Sequence, residues 1–110
     1  MKGRVAFLDA VHPVLHERLE KAGWVCDHME ELGRQEILEG ALKAHSGVVI
    51  RARLQLDKAL FLSLPALQFV ARSGAGLENI AVDYANAHGI QVFNSPEGNA
   101  DAVGEHALGQ

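Results

Sequence analysis

Short apolar runs rich in β-branched or aromatic residues recur along the chain at Val5–Leu8, Trp24–Cys26, Val48–Ile50, Leu67–Ala71 and Ile90–Phe93. Runs of this length, flanked by polar or turn-forming residues, predict strands buried on both faces. The segments between them change period. Val14, Leu15, Arg18, Leu19 and Ala22 form a helical stripe, with Pro13 suited to the first turn and Gly23 to the stop. Gly33 to Ala44 carries Ile37, Leu38, Ala41 and Leu42 at helical spacing, and Asp57 to Leu64 predicts a shorter helix ended by Pro65. Asp83 can cap a brief helix closed by Gly89, and Asn99 can cap another beginning at Ala100.

Strands alternating with helices at this spacing predict an α/β fold, a flavodoxin-like parallel sheet of about five strands with helices on both faces. Ligands of such sheets bind beyond the carboxyl ends of the strands, where Asp9, Arg51, Arg72 to Gly76 and Asn94 all fall. The fourth strand empties into Arg72-Ser73-Gly74-Ala75-Gly76. Two glycines spaced by one residue let several backbone N–H groups converge on an anion beside the next helix. A small carboxylate fits that description, and an ordinary strand-to-helix turn is the plainer alternative. Arg51 can pair with a carboxylate or phosphate through its forked guanidinium, or simply be solvated at a loop tip. The final stripe, Ala102, Val103, His106 and Ala107, reaches Gln110 without a cap, so the chain is expected to be cut from something longer.

The bulk properties remove several classes of function. A chain of 110 residues suits one core. Ten basic and fourteen acidic residues leave a formal charge of −4, and no cluster of Lys or Arg offers a footprint for nucleic acid. No run approaches the roughly eighteen apolar residues of a membrane helix, and the N-terminus MKGRVAFLDAVHP becomes charged too early for a secretory signal. A cytoplasmic location is expected, with no membrane partner. The single Cys26 cannot form an internal disulfide and reads as inert strand packing. His12 and His16 are four apart, but Pro13 puts His12 outside the first turn and no thiol or carboxylate set completes a coordination spacing. No metal is expected.

The stretch Phe69 to Leu108 resembles the substrate-domain signature of the D-isomer-specific 2-hydroxyacid dehydrogenases, R-x-G-x-G-x-D-N-I-D followed by N-x-P and A-x-x-x-A-E-H. The matching residues are Arg72, Gly74, Gly76, Asn79 and Ile80, then Gly89, Ile90, Val92, Asn94 and Pro96, then Asn99, Val103, Glu105 and His106. Glu78 stands where an Asp is usual, Ala81 replaces the second Asp, and Gly104 sits where Ala is common. The rest of the chain agrees only in pattern.

This resemblance implies an NAD-dependent oxidoreductase of small D-2-hydroxy or 2-keto acids, and this portion as its substrate-binding lobe. Relatives hold the substrate carboxylate on backbone N–H groups of the turn at Ser73, Gly74, Ala75 and Gly76. An Arg at the place of Arg51 approaches the distal group in phosphoglycerate-type members. Arg72 is either a second contact or a brace of the loop. Two arginines make 3-phosphoglycerate the preferred substrate, with glyoxylate, hydroxypyruvate and lactate left open. Asn99 is a helix cap that also faces substrate and nicotinamide in relatives, and Val103 matches a position near the cofactor. The family's working His, its Glu partner and a substrate-orienting Arg come later, inside a nucleotide-binding domain, so no catalytic residue is expected here and Glu105-His106 reads as scaffold.

The sequence also lacks G-x-G-x-x-G, since Gly74-Ala75-Gly76 continues Leu77-Glu78-Asn79. Residues 1–97 are accordingly expected to be the substrate-binding domain, and 98–110 the start of an interdomain helix leading to an NAD-binding domain. The chain is then the incomplete half of a two-domain dehydrogenase, inactive alone and homodimeric when whole. A non-catalytic NAD-sensing scaffold of the corepressor type is the alternative. A phosphorylated receiver domain fails because Asp9 is single and the third strand ends in Arg51, and a flavin carrier fails because Asp9 to Leu15 lacks a Ser/Thr/Gly-rich phosphate loop.

Overall fold

The computed structural model describes residues 3–11, 13–51, 53–73 and 79–95. Among the described residues five strands alternate with four helices: β1 (Gly3–Phe7), α1 (Pro13–Lys21), β2 (Trp24–His28), α2 (Arg34–Leu38), β3 (Gly47–Ile50), α3 (Lys58–Leu62), β4 (Phe69–Ser73), α4 (Val82–Ala87) and β5 (Gln91–Ser95). All pairings are parallel, and the spatial order is β2-β1-β3-β4-β5. This is the doubly wound order of flavodoxin-like sheets, as the alternation of patterns predicts.

Alternation along the strands divides the core in two. One face carries Ala6, Leu8, Val48, Ile50 and Val70 against Ile37 of α2, Leu60 and Phe61 of α3, and Ala85 of α4. The other carries Val5, Phe7, Val49, Phe69 and Ala71 against Leu15 and Leu19 of α1. Helices therefore cover both faces. Leu19 and Ile37 are fully buried, and each such side chain stabilises the fold by roughly 1.5–3 kcal/mol. Gly47 is required by packing: a Cβ there would lie 2.3 Å from Cζ of Phe69, its neighbour in register on β4.

Several boundaries differ from the sequence pattern by a few residues, and three of the differences have a clear physical cause. The helix expected from Gly33 to Ala44 stops at Leu38, because Gly40 takes φ +100° and the chain continues in turns. β4 begins two residues later than its apolar run and includes Arg72 and Ser73, since the ladder extends to Arg72↔Asn94 and Ser73↔Ser95. Asp83 does not cap α4: the isolated bridge Leu56↔Ile80 and the bond from Ala81 N to Leu56 O (2.9 Å) start the helix earlier, with Ala81 at the cap. Asp57 does cap α3, accepting from the Leu60 N–H at 3.1 Å.

A polar network ties the outer margin of the sheet. Arg4 of β1 donates to both oxygens of Asp27 on β2 at 2.9 Å, and the ring of His45, just before β3, meets the same carboxylate at 2.9 Å. Burial pushes the Asp27 carboxyl up, but the hydrogen bonds from Arg4 and His45 outweigh it and hold the group below its ordinary 3.8. No helix among the described residues is long and apolar enough to cross a membrane.

Candidate functional site

The 2-1-3-4-5 order brings the carboxyl ends of β1, β3 and β4 side by side, and each ends in a charged residue. Asp9 follows β1, Arg51 follows β3, and Arg72 stands near the end of β4. The Asp9 carboxylate, only 11 % exposed, accepts from the Arg51 backbone N–H at 2.7 Å and from Arg53 Nε at 2.9 Å. Arg53 also donates to the carbonyls of Leu8 and Leu32, crossing from β3 to β1 and to the segment after β2. Arg53 is thus a strut. The Arg51 side chain is exposed and makes a long contact, 3.5 Å, to the Ala10 carbonyl.

Asn79 joins the other half of the edge. Its Oδ1 accepts from Arg72 Nε at 2.7 Å, while its Nδ2 donates to the carbonyls of Arg51 and Leu54, each at 2.8 Å. One amide therefore couples the end of β3, the chain beyond it and the buried guanidinium of β4. Arg72 is 6 % exposed and Ser73 7 %. A buried guanidinium must be hydrogen-bonded to be tolerated, and Asn79 supplies part of that need.

Of the expected site residues, Arg51, Arg72 and Ser73 stand on this edge, Arg51 exposed and the other two buried. Gly74, Ala75, Gly76, Asn99 and Val103 lie outside the described residues, as do His12 and His106. Sequence reasoning missed the roles of Arg53 and Asn79. Topology offers part of the signal for the first, because β1 and β3 are neighbours and an Asp after one faces an Arg after the other, but it does not choose between Arg51 and Arg53. Among the described residues, no group of three or more His, Cys, Asp or Glu side chains is arranged to hold a metal ion. The Cys26 thiol is pushed up to about 11 by burial first and by Glu20 and Asp27 next, which keeps it protonated.

The family model for the D-isomer specific 2-hydroxyacid dehydrogenase catalytic domain matches residues 5–108. The chain belongs to this family. The D-3-phosphoglycerate dehydrogenase of Mycobacterium leprae is 37% identical over 71 residues, covering 64% of this chain and 13% of the relative. The Sus scrofa D-3-phosphoglycerate dehydrogenase is 26% identical over 106 residues, covering 96% and 20%. The chain thus spans a fifth or less of these relatives' length. Among solved structures, NAD+-bound 3-phosphoglycerate dehydrogenase from Entamoeba histolytica superposes with a TM-score of 0.68 at 24% identity, covering 86% of this chain and 33% of that one. A glyoxylate reductase from Paecilomyes thermophila gives 0.70 at 24% identity, covering 86% and 32%. At that identity the likeness establishes the fold, and it spans members named for different acids.

Proposed function

We propose that this chain is the substrate-binding lobe of an NAD-dependent oxidoreductase of small D-2-hydroxy or 2-keto acids, with 3-phosphoglycerate the preferred substrate. The observation that supports this reading is the anchored backbone of Arg51 at the carboxyl edge of the sheet. Asp9 accepts from its N–H and Asn79 donates to its carbonyl, so its exposed side chain starts from a fixed point beside Ser73 and the turn that follows β4. A guanidinium on an anchored backbone suits a phosphate or carboxylate, because its forked donors are oriented before the ligand arrives. Ser73 leads from β4 into Gly74-Ala75-Gly76, whose N–H groups would take the substrate carboxylate. Asn99 would cap the helix facing the substrate.

NAD itself does not fit the described edge. In a dinucleotide fold the turn after the first strand presents glycines and a helix N-terminus to the pyrophosphate. Here that position holds the ion-paired Asp9 carboxylate and the residues Val11 and Pro13, and no glycine occurs between Leu8 and Pro13 to bring backbone N–H groups against a pyrophosphate. We infer that nicotinamide binding falls to a separate domain, with residues 98–110 leading toward it and Val103 near the cofactor, and that residues 1–97 take the acid. Turnover by this chain alone is expected to be nil.

Amide chemical shifts of the 15N-labelled chain, followed during additions of 3-phosphoglycerate, glycerate and inorganic phosphate, test the proposal. The expected result is a response centred on Arg51 and Ser73, strongest for 3-phosphoglycerate. Arg51→Ala should weaken it by roughly tenfold or more, the loss of a charge-assisted contact of about 1.5–3 kcal/mol. Equal affinity in the variant removes Arg51 from the site, and no response to any of the acids rejects the lobe as a binder on its own.

A further inference from the structure

The last pair joining β3 to β4 is Ile50↔Arg72, so Arg51 and Ser73 are the first residues past it on two neighbouring paths of the chain. Paired strands lie about 4.8 Å apart, and beyond this pair the ladder no longer sets that spacing. Asn79 takes over there. Its Nδ2 donates to the carbonyls of Arg51 and Leu54, each at 2.8 Å, and its Oδ1 accepts from Arg72 Nε at 2.7 Å. Its main chain reaches the same segment: the Leu56 N–H donates to the Asn79 carbonyl at 2.8 Å, and the Ala81 N–H to the Leu56 carbonyl at 2.9 Å. Residues 51–56 are thereby fastened to residues 79–81 through both side chain and backbone.

The partners fix the orientation of the amide. A guanidinium only donates and a carbonyl only accepts, so the oxygen must face Arg72 and the nitrogen the two carbonyls. Both amide hydrogens are then spent inside the protein. None is left for a ligand, and Asn79 acts on one only through the groups it holds. Few side chains could replace it: an aspartate of the same shape has no hydrogen to give, a leucine has neither donor nor acceptor, and a glutamine sets its amide one methylene further out. The backbone of Arg51 is gripped on both sides, its N–H by Asp9 at 2.7 Å and its carbonyl by Asn79. The first grip refers Arg51 to the end of β1. Only the second refers it to Arg72, the residue before Ser73.

We propose that Asn79 is a positioning residue that sets the separation between Arg51 and the end of β4, and so selects acids carrying a second anionic group at a fixed distance from the carboxylate. This rests on the reading of the edge given under the proposed function. A ligand with two anionic ends gains from both holding points only if they stand at the right spacing before it arrives. A ligand with one anionic group needs only one of them.

The test compares binding of 3-phosphoglycerate, glycerate and inorganic phosphate to the 15N-labelled chain in the wild type, Asn79→Asp, Arg51→Ala and the double variant. Asn79→Asp keeps the acceptor for Arg72 and loses both donors. It should weaken 3-phosphoglycerate roughly tenfold and the two ligands with one anionic group less than about twofold. Once Arg51 is alanine, Asn79→Asp should have no further effect on 3-phosphoglycerate, which separates lost positioning from repulsion by the new carboxylate. Asn79→Gln, uncharged and with its donors displaced, should give the same pattern and serves if Asn79→Asp does not fold. An equal loss for all three ligands, or an equal loss with and without Arg51, would overturn the proposal. If Arg51→Ala itself leaves 3-phosphoglycerate binding unchanged, the reading of the edge falls and this inference with it. If Arg51→Ala weakens binding while the Asn79 variants keep wild-type affinity, the inference alone falls.

Discussion

Two arginine–aspartate networks in this molecule use the same chemistry for different ends. On the outer margin, Asp27 is consumed by its partners: Arg4 takes both oxygens and His45 meets one of them again. At the carboxyl ends, Asp9 spends one oxygen on a backbone N–H and the other on Arg53, and the arginine that owns that N–H extends outward. The first network is closed, so its value is wholly structural. The second fixes the backbone that carries the exposed Arg51 side chain. Charge content alone does not separate a staple from a site; the distinction is whether the acid grips a side chain or a main chain.

Perturbing each network in turn gives effects of decreasing size. Asn79→Ala removes three hydrogen bonds, one of them to the buried Arg72 guanidinium, and should lower stability by about 2–4 kcal/mol in urea unfolding. Asn79→Asp keeps an acceptor for Arg72 but loses the donors to Arg51 and Leu54, and should fall between; a loss below about 0.5 kcal/mol in Asn79→Ala would show that the brace is dispensable.

Asp27→Asn should lower stability by about 1–3 kcal/mol near neutral pH and leave 3-phosphoglycerate binding unchanged. Because Asp27 titrates below its ordinary 3.8 in the folded state, its stabilisation is complete above that value and drains away as pH falls through the folded one. Wild-type and variant curves of stability against pH should therefore converge below about pH 4, and parallel curves would show that the carboxylate is not the source. Arg51→Ala is the smallest perturbation, within about 0.5 kcal/mol of wild type, since its side chain is exposed and its backbone bonds to Asp9 and Asn79 survive the change. A larger loss would place Arg51 among the staples.

How much of this was legible in the sequence follows the same division. The alternating patterns were sufficient for strand order and for helices on both faces, because each strand is a bounded apolar run and each helix has an apolar stripe. Boundaries failed where tertiary contacts outvoted local signals: β4 continues through Arg72 and Ser73 because β3 and β5 pair with it, and α4 starts at Val82 because a bridge from Ile80 to Leu56 sets its entry. The polar edge was legible as a place, since strand ends converge there in any such sheet. The partners were not, because nothing in the local chain indicates that Asn79 reaches back 28 residues to Arg51 or that Arg53 rather than Arg51 takes Asp9.

The protonated, half-covered thiol of Cys26 has a practical consequence. It is the sole cysteine, and a thiol pushed up by burial is expected to react slowly with maleimide probes at ordinary working pH. A cysteine introduced at Leu62, 64% exposed on α3, should then take up a fluorophore or spin label much faster than the native sulfur.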